Sequence, residues 1–447
     1  MPTLTRVWIW LMIGWGVLLT ACGPMTPFPS ATPTASPPRQ TGPTPTPTQT
    51  VPPTATPQGA PPSAVAQDLM RVEAQIRALR GVQPPADVKR IMLPPQALEA
   101  KAQSLRAASP IPNPWAWQAL DLIPPNYDLK TALTALPTPP LALYVPAEGV
   151  IYFTAPQGTT GPLRLAYAYA YAQALQPRLD PPAACQASLD CDLALQALTA
   201  GDALYTAYLW FFAHATPQDL DDIAAFYNTT PTPPSLPLAV EKQRRFAYDY
   251  GYPFIQFLFQ QNGWASIAQA FAHPPVSTEQ ILVPEAYPAD RPETFSLPQA
   301  RPLGPRWEEA AQGEFGAWLL YLMLTASQHP EARLSASEAL DVVRGWGGGA
   351  WAVFRQPDTH TLALVADLRW DSNDATVQFV KVFVKYARGR FGPLLDRDRG
   401  YRTLSWETDT GAAMLYYNTG AHRAIFAFAP TRAEAKTLVQ WLASPGP

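Results

Sequence analysis

Proline is distributed unevenly along this chain, and its placement limits where a folded core can begin. The sequence has 53 prolines among 447 residues, and residues 25–63 consist largely of Pro, Thr, Ser and Ala. Proline lacks a backbone N–H donor, and a segment with so few large apolar side chains cannot bury a core. We therefore predict an extended, solvated stalk over residues 23–63, spanning roughly 100 Å at ~3.1 Å per residue.

The residues before this stalk have the pattern of an export signal. Arg6 precedes an apolar run over residues 7–19, which is too short to span a membrane comfortably. The run ends in Leu-Thr-Ala followed by Cys22, which resembles a bacterial lipobox. The resemblance implies that residues 1–22 form a lipoprotein signal peptide and that Cys22 carries the lipid. An uncleaved anchor and an ordinary secretory signal are the alternatives.

These features predict an extracytoplasmic protein that is lipid-anchored to the bacterial cell membrane. The rest of the chain has enough apolar residues for one or two cores, since 47% of all residues are hydrophobic and 15% are charged. A formal net charge of −3 gives no long-range field, which argues against a nucleic-acid partner.

Two of the three cysteines remain once Cys22 is assigned to the lipid. Cys185 and Cys191 are close in sequence and would meet an oxidising compartment after export. We predict a local disulfide between them. A metal site is the alternative, although two thiolates alone do not complete a zinc shell.

Residues 165–202 hold two alanine-rich segments on either side of this cysteine loop. The first segment, LAYAYAYAQAL, alternates apolar residues with a period of two, which is also compatible with a strand. Its alanine content favours a helix. We therefore predict two helices joined by a loop.

Periodic apolar residues predict the elements that come before this stretch. We predict a helix over residues 65–80, a strand over residues 88–93, a helix over residues 95–107, a short helix over residues 115–122 and a hairpin centred on residues 146–149.

Capping motifs mark several elements after this stretch. Thr216 is predicted to cap a helix N-terminus, because proline follows it at the first helical position. Ser335 and Thr431 are predicted to do the same, because each has a glutamate three positions later. A long aromatic helix is predicted over residues 240–261, with a kink at Pro253.

The remaining pattern sets the predicted fold class and domain organisation. Residues 307–328 are predicted to form one long buried helix, and the last hundred or so residues alternate between strands and helices. The whole is predicted to be α+β. A mostly helical body with small β elements occupies residues 64–330, and a C-terminal α/β segment over residues 331–447 packs on it.

Several blocks of the sequence resemble a bacterial family of exported, HExxH-type zinc metallopeptidase-like proteins. The two blocks nearest the helix pair are Ala174-Leu175-Gln176 and residues 197–203, ALTAGDA. Further matching blocks follow in order: YGYPFIQFLFQQNGW, PPVSTEQILVPEAY, GEFGAWLL, GWGGGAW and RWDSNDA. The resemblance implies that the helical body has a zincin-like fold.

The resemblance also identifies where a zinc site would be. In such a site, two histidines at i and i+4 hold zinc, the glutamate between them is the general base, and a glutamate on the next helix is the third ligand. The corresponding positions here are Tyr169 and Gln173, then Ala170, then Ala200. Alanine has no ligand atom, Gln is a weak donor, and a phenol with a pKa near ~10 stays protonated. We therefore expect neither zinc nor catalysis at this place.

A catalytically inactive body of this kind would act by binding. The former cleft would then take a peptide, a polymer or another envelope protein, because aromatic side chains with a polar group suit recognition. The candidate lining residues are Tyr167, Tyr169, Tyr171, Gln173 and Asp202.

Two other functions are compatible with the sequence. One is a working hydrolase with a relocated metal, for which the Cys185–Cys191 loop with Asp180 and Asp192 is the cluster to consider. The other is a structural or solute-binding lipoprotein. The chain contains no G-x-S-x-G motif and no phosphate-binding loop. Its histidines have no metal-ligand spacing; they are His214, His273, His329, His360 and His422.

Overall fold

The computed structural model describes residues 63–444, except for residues 84–87, 137, 187, 231–234, 301, 399 and 401. The predicted signal peptide, Cys22 and nearly all of the predicted stalk lie outside the described residues. Within the described ranges, no helix is long and apolar enough to cross a membrane. The fold is α+β, as predicted.

The N-terminal region of the described residues contains four helices. They are α1 (Ser63–Arg80), α2 (Pro95–Ala107), α3 (Pro114–Ala119) and α4 (Leu129–Thr134). In α1 the residues Leu69, Val72 and Ile76 are buried, as their spacing at i, i+3 and i+7 predicts.

The small sheet supports the first of the two alanine-rich helices. Its strands are β1 (Lys89–Met92), β2 (Ala142–Val145) and β3 (Val150–Phe153). The strand order is β1-β3-β2, with β1 parallel to β3 and β2 antiparallel to it. Gly149 has a φ of +64° in the β2–β3 turn, a conformation that favours glycine. The predicted hairpin is therefore confirmed.

The two alanine-rich segments are both helical, as predicted. They form α5 (Gly161–Ala174) and α6 (Leu189–His214), and α7 (Pro217–Thr229) follows. Thr216 caps α7 in a capping box with Asp219, as the sequence predicts. Helix α6 is the central element, because α1, α5 and the later helices α8 and α9 all pack against it.

The prediction of one continuous aromatic helix over residues 240–261 is wrong. The structure has α8 (Leu238–Asp249) and α9 (Gly251–Ala272), and α9 is itself interrupted at Asn262 and Gly263. Pro253 therefore does not kink a helix interior. It lies in the first turn of α9, where backbone N–H groups have no intrahelical acceptor and a missing donor costs little.

Helices α6 and α9 cross in direct backbone contact. A Cβ atom added to Gly201 would lie 2.3 Å from the Gly251 carbonyl oxygen, and one added to Gly251 would lie 2.3 Å from the Ala197 carbonyl oxygen. Such distances are far below van der Waals contact. Only glycine at both positions allows this crossing.

The second sheet dominates the C-terminal part of the chain. Among the described residues its order is β4-β5-β6-β10-β9-β8-β7, with antiparallel pairing throughout. The strands are β4 (Glu308–Glu314), β5 (Trp346–Arg355), β6 (Leu362–Trp370), β7 (Asp396–Asp398), β8 (Thr403–Thr408), β9 (Gly411–Asn418) and β10 (Arg423–Ala429). The helices of this part are α10 (Glu279–Leu282), α11 (Ala317–Thr325), α12 (Ala336–Val343), α13 (Asn373–Phe391) and α14 (Arg432–Ala443).

The single helix predicted over residues 307–328 is wrong, because its first half is strand β4. Trp351 of β5 packs over Gly313, and its indole N–H donates to the Glu314 carbonyl at 2.8 Å. Arg355 also bonds Glu308 across the two strands at 2.6 Å. These cross-strand contacts outweigh the local helical preference of the segment. The remaining helix, α11, begins at Ala317.

Both faces of the large sheet are covered. Along β10, Phe426 and Phe428 face the core shared with α13, whereas Ile425 and Ala427 face the core shared with α14. Alternate residues of a strand point to opposite faces, so two buried faces require apolar residues throughout. This explains the unbroken apolar run in β10. Strand β4, which is part of this sheet, lies on the N-terminal side of the predicted domain boundary at residue 330.

We expect Gly201→Ala to lower the free energy of unfolding by about 3 kcal/mol, because the added methyl group overpacks a backbone contact. Denaturant unfolding followed by circular dichroism measures the change. Gly420→Ala is the control, since the nearest atom to its added Cβ would be 3.7 Å away. Equal stability of both variants would contradict the assigned α6–α9 crossing.

Candidate functional site

Helices α5 and α8 both pack against α6. Tyr169 and Gln173 are half-buried and lie one turn apart on α5. The ring of Tyr248 on α8 packs against that of Tyr169, with the two centroids 6.3 Å apart. We call this surface the Tyr169 groove and define it by Tyr169, Gln173, Tyr248 and Arg244.

The four positions that the sequence resemblance assigns to a metallopeptidase site lie on α5 and α6. Ala170 is buried in the core that α5 shares with α1 and β3, and Ala200 of α6 is 8% exposed. Burial, followed by the influence of Tyr248, raises the pKa of Tyr169 well above its ordinary value. The Tyr169 phenol therefore stays protonated at neutral pH and is a poor metal ligand.

Three of the predicted lining residues are buried side chains with partners inside the protein. The Tyr167 hydroxyl donates to Glu73 at 2.6 Å, and the Tyr171 hydroxyl accepts from Arg77 at 3.0 Å. Asp202 is fully buried. The prediction of a lining role therefore depends on Tyr169 and Gln173, whose side chains are partly exposed.

Asp202 belongs to a buried network that joins three helices. Arg80 Nη1 lies 2.9 Å from both Asp202 carboxylate oxygens, and Gln176 Nε2 lies 2.9 Å from Oδ2. The Arg80 guanidinium also stacks 4.5 Å above the centroid of the Trp264 ring. Buried ions of this kind need a partner, because an isolated charge in the interior is strongly unfavourable. Asp202 thus ties α6 to α1.

The cysteine loop precedes α6 and offers little for a hydrolase. Cys185 and Cys191 lie at disulfide distance, with their Cα atoms 5.2 Å apart, so neither supplies a free thiolate. Asp180 is largely exposed and pairs with Arg178 at 3.4 Å. Burial raises the pKa of Asp192. These residues do not form a metal shell.

The histidines are placed apart from one another. His329 Nδ1 lies 2.6 Å from Asp121 Oδ2 on the surface, and His273 borders a different pocket. Across the described ranges, no group of three or more His, Cys, Asp or Glu side chains is arranged to hold a metal ion. The expectation that the chain needs no zinc stays a prediction.

A buried carboxyl that sequence reasoning missed lies where the helical body meets the sheet. Asp190, at the start of α6, accepts from the Thr278 backbone N–H at 2.7 Å and from its hydroxyl at 2.5 Å. The Thr278 hydroxyl oxygen in turn accepts from the Trp318 backbone N–H at 2.8 Å. Burial and then the neighbouring Glu314 carboxylate raise the pKa of Asp190 to about 7.

A second buried acid lies beside it. Glu279 of α10 is 1% exposed, and no described residue outside the Glu279–Asp290 pair donates to Glu279 Oε2 or Asp290 Oδ2. Burial and the hydrogen bond to Asp290 raise the pKa of Glu279 to about 11. Glu279 is therefore a neutral acid that donates to Asp290. It has a structural role at this junction, because it is not open to a ligand.

The comparisons with known proteins reach only the C-terminal part. A family model for a domain of unknown function (DUF8575) matches residues 302–438, which hold the whole seven-stranded sheet. No curated protein and no solved structure matches the chain. The Tyr169 groove lies outside the matched residues.

We expect Glu279→Gln to be at least as stable as the parent protein at neutral pH, because an amide replaces a neutral acid of the same shape. Glu279→Ala should lower the free energy of unfolding by about 2–4 kcal/mol, since it leaves a cavity and removes the donor to Asp290. Thermal and denaturant unfolding measure both. A glutamine variant as unstable as the alanine variant would show that Glu279 is ionised.

The raised pKa of Asp190 has a defined effect on stability. The stability that its bound proton contributes is fully present below the unfolded-state pKa, near ~4, and is lost as pH rises through about 7. Relative to the parent, Asp190→Asn should therefore gain stability between pH 4 and pH 7, by up to about 4 kcal/mol. Denaturant unfolding at several pH values measures this difference.

Asp180→Asn serves as the control for the Asp190 variant, because Asp180 is exposed. Its stability difference from the parent should not change across the same pH range. A pH-independent difference for Asp190→Asn would contradict the assigned protonation.

Proposed function

We propose that this chain is a lipid-anchored extracytoplasmic protein whose helical body is metallopeptidase-like, catalytically inactive and specialised for binding peptide segments. The lipobox-like sequence at Cys22 and the proline-rich stalk support the anchor. The sequence blocks that resemble exported metallopeptidase-like proteins support the metallopeptidase-like character of the helical body. The Tyr169 groove supports the binding role.

The observation that carries the proposal is the pair of partly exposed tyrosines where α5 meets α8. Tyr169 and Tyr248 pack against each other, with their ring centroids 6.3 Å apart. Gln173 lies one turn from Tyr169, and no described residue hydrogen bonds to its side-chain amide. Partly exposed rings next to a free amide suit an extended peptide, whose backbone needs both donors and acceptors.

The surroundings of the groove favour binding over chemistry. Ala170, which is buried against α1 and β3, and Ala200 of α6 supply neither a base nor a metal ligand. General-base catalysis needs a titratable side chain within hydrogen-bond reach of the reacting water. The Tyr169 phenol, whose pKa is raised, is not a base at neutral pH.

We expect the double variant Tyr169→Ala and Gln173→Ala to lose at least about tenfold in affinity for a mixture of unstructured hexapeptides, because each side chain contributes on the order of 1 kcal/mol to such a contact. Retention of the peptides by the immobilised full chain, followed by mass spectrometry of the eluate, measures the loss. The peptides should be recovered uncleaved.

Tyr227→Ala is the matched control, because this tyrosine is exposed on α7 and lies outside the groove. It should retain peptides like the parent protein. Equal retention by the double variant and the parent would argue against the groove, and cleaved peptides would argue against an inactive body.

A further inference from the structure

Two arginines meet at one end of the Tyr169 groove. Arg106 Nη1 at the end of α2 and Arg244 Nη2 on α8 both donate to the backbone oxygen of Ala135, at 3.3 Å and 2.8 Å. Sharing one acceptor places the two guanidinium groups side by side. Within the described part of the chain, neither forms an ion pair with a carboxylate.

This arrangement is electrostatically unfavourable without an anion. Burial first, and then the like charge of Arg106, lowers the pKa of Arg244. Glu241, one turn before Arg244 on α8, is exposed and only partly offsets this repulsion. Two cations held together by one neutral carbonyl leave positive charge uncompensated.

The arginine pair is accessible and continuous with the groove. Arg106 and Arg244 are both half-buried, so solvent reaches them. Arg244 and Tyr248 are at i and i+4 on one face of α8. Arg106 of α2 also interacts electrostatically with the Tyr169 hydroxyl of α5. A ligand along the groove would therefore run from Gln173 and Tyr169 towards the two guanidiniums.

We propose, building on the peptide-binding function above, that Arg106 and Arg244 form the anchor for a carboxylate of the bound peptide. Each guanidinium has five N–H donors and uses one for Ala135. The remaining donors suit a carboxylate, whose two oxygens accept charge-assisted hydrogen bonds. The carboxylate is either the peptide C-terminus or an acidic side chain, and both share this chemistry.

The test compares three acetylated tetrapeptides on the full chain by isothermal titration calorimetry. They are tetraalanine with a free C-terminal carboxylate, tetraalanine with a C-terminal amide, and an amidated Ala-Ala-Glu-Ala. We expect the free acid, the glutamate peptide or both to bind at least about tenfold more tightly than the tetraalanine amide. The peptide that binds more tightly shows whether the site prefers a C-terminal carboxylate or an acidic side chain.

Substitutions of Arg106 and Arg244 test whether the preference for a carboxylate peptide depends on this arginine pair. Arg106→Gln and Arg244→Gln should each bring the acid-to-amide ratio close to one, whereas Arg106→Lys and Arg244→Lys should keep part of it. Arg245→Gln is the matched control, because Arg245 follows directly on α8 but is paired with Asp249. It should leave the ratio unchanged. Should Arg244→Gln unfold, Arg106→Gln and the lysine variants still decide the question.

The outcomes separate this inference from the proposed function. Equal binding of all three tetrapeptides, or a carboxylate preference that survives in Arg106→Gln, overturns the carboxylate anchor but leaves peptide binding by the groove intact. Binding of none of the three tetrapeptides also overturns the anchor. Retention of the hexapeptide mixture then determines separately whether the groove binds peptides at all.

Discussion

The need to cover one apolar helix on every side organises this protein. Helix α6 is buried around most of its circumference, so it has no single apolar face that one neighbouring element could cover. Helices α1, α5, α8 and α9 surround it, and the contact with α9 is so close that both Gly201 and Gly251 must lack a side chain. The positions of α5 and α8 follow from this arrangement, and they bring Tyr169 next to Tyr248.

Polar groups in this interior are satisfied by partners that are distant in sequence. Arg80 reaches Asp202, and Thr278 reaches Asp190, so a carboxyl group at the start of α6 and another near its middle are each tied to another element. Such contacts stabilise only when complete, because losing one partner leaves a buried charge unpaired. The arginines beside Ala135 differ, since each is half-exposed and lacks a described carboxylate partner.

Local chemistry explains which parts of the fold were predictable. The N-caps at Thr216, Ser335 and Thr431 are set by neighbours three residues away, and all three form. Strand β4 was missed because its pairing with β5 depends on distant residues such as Trp351. The same limit applies to the site. The sequence identified Tyr169 and Gln173 on one helix, whereas Tyr248 and Arg244 come from α8 and Arg106 comes from α2.

The junction at Asp190 determines how this chain can be divided. Thr278 donates to the Asp190 carboxyl and accepts from the Trp318 backbone N–H, and these bonds link the body to the sheet region. A single apolar core also runs from Trp117 in α3 to Phe428 in β10. Residues 302–438, although matched as a domain, therefore share their interior with the helices before them. Body and sheet should unfold in one cooperative transition, and neither is a portable module that could be fused to another protein without its counterpart.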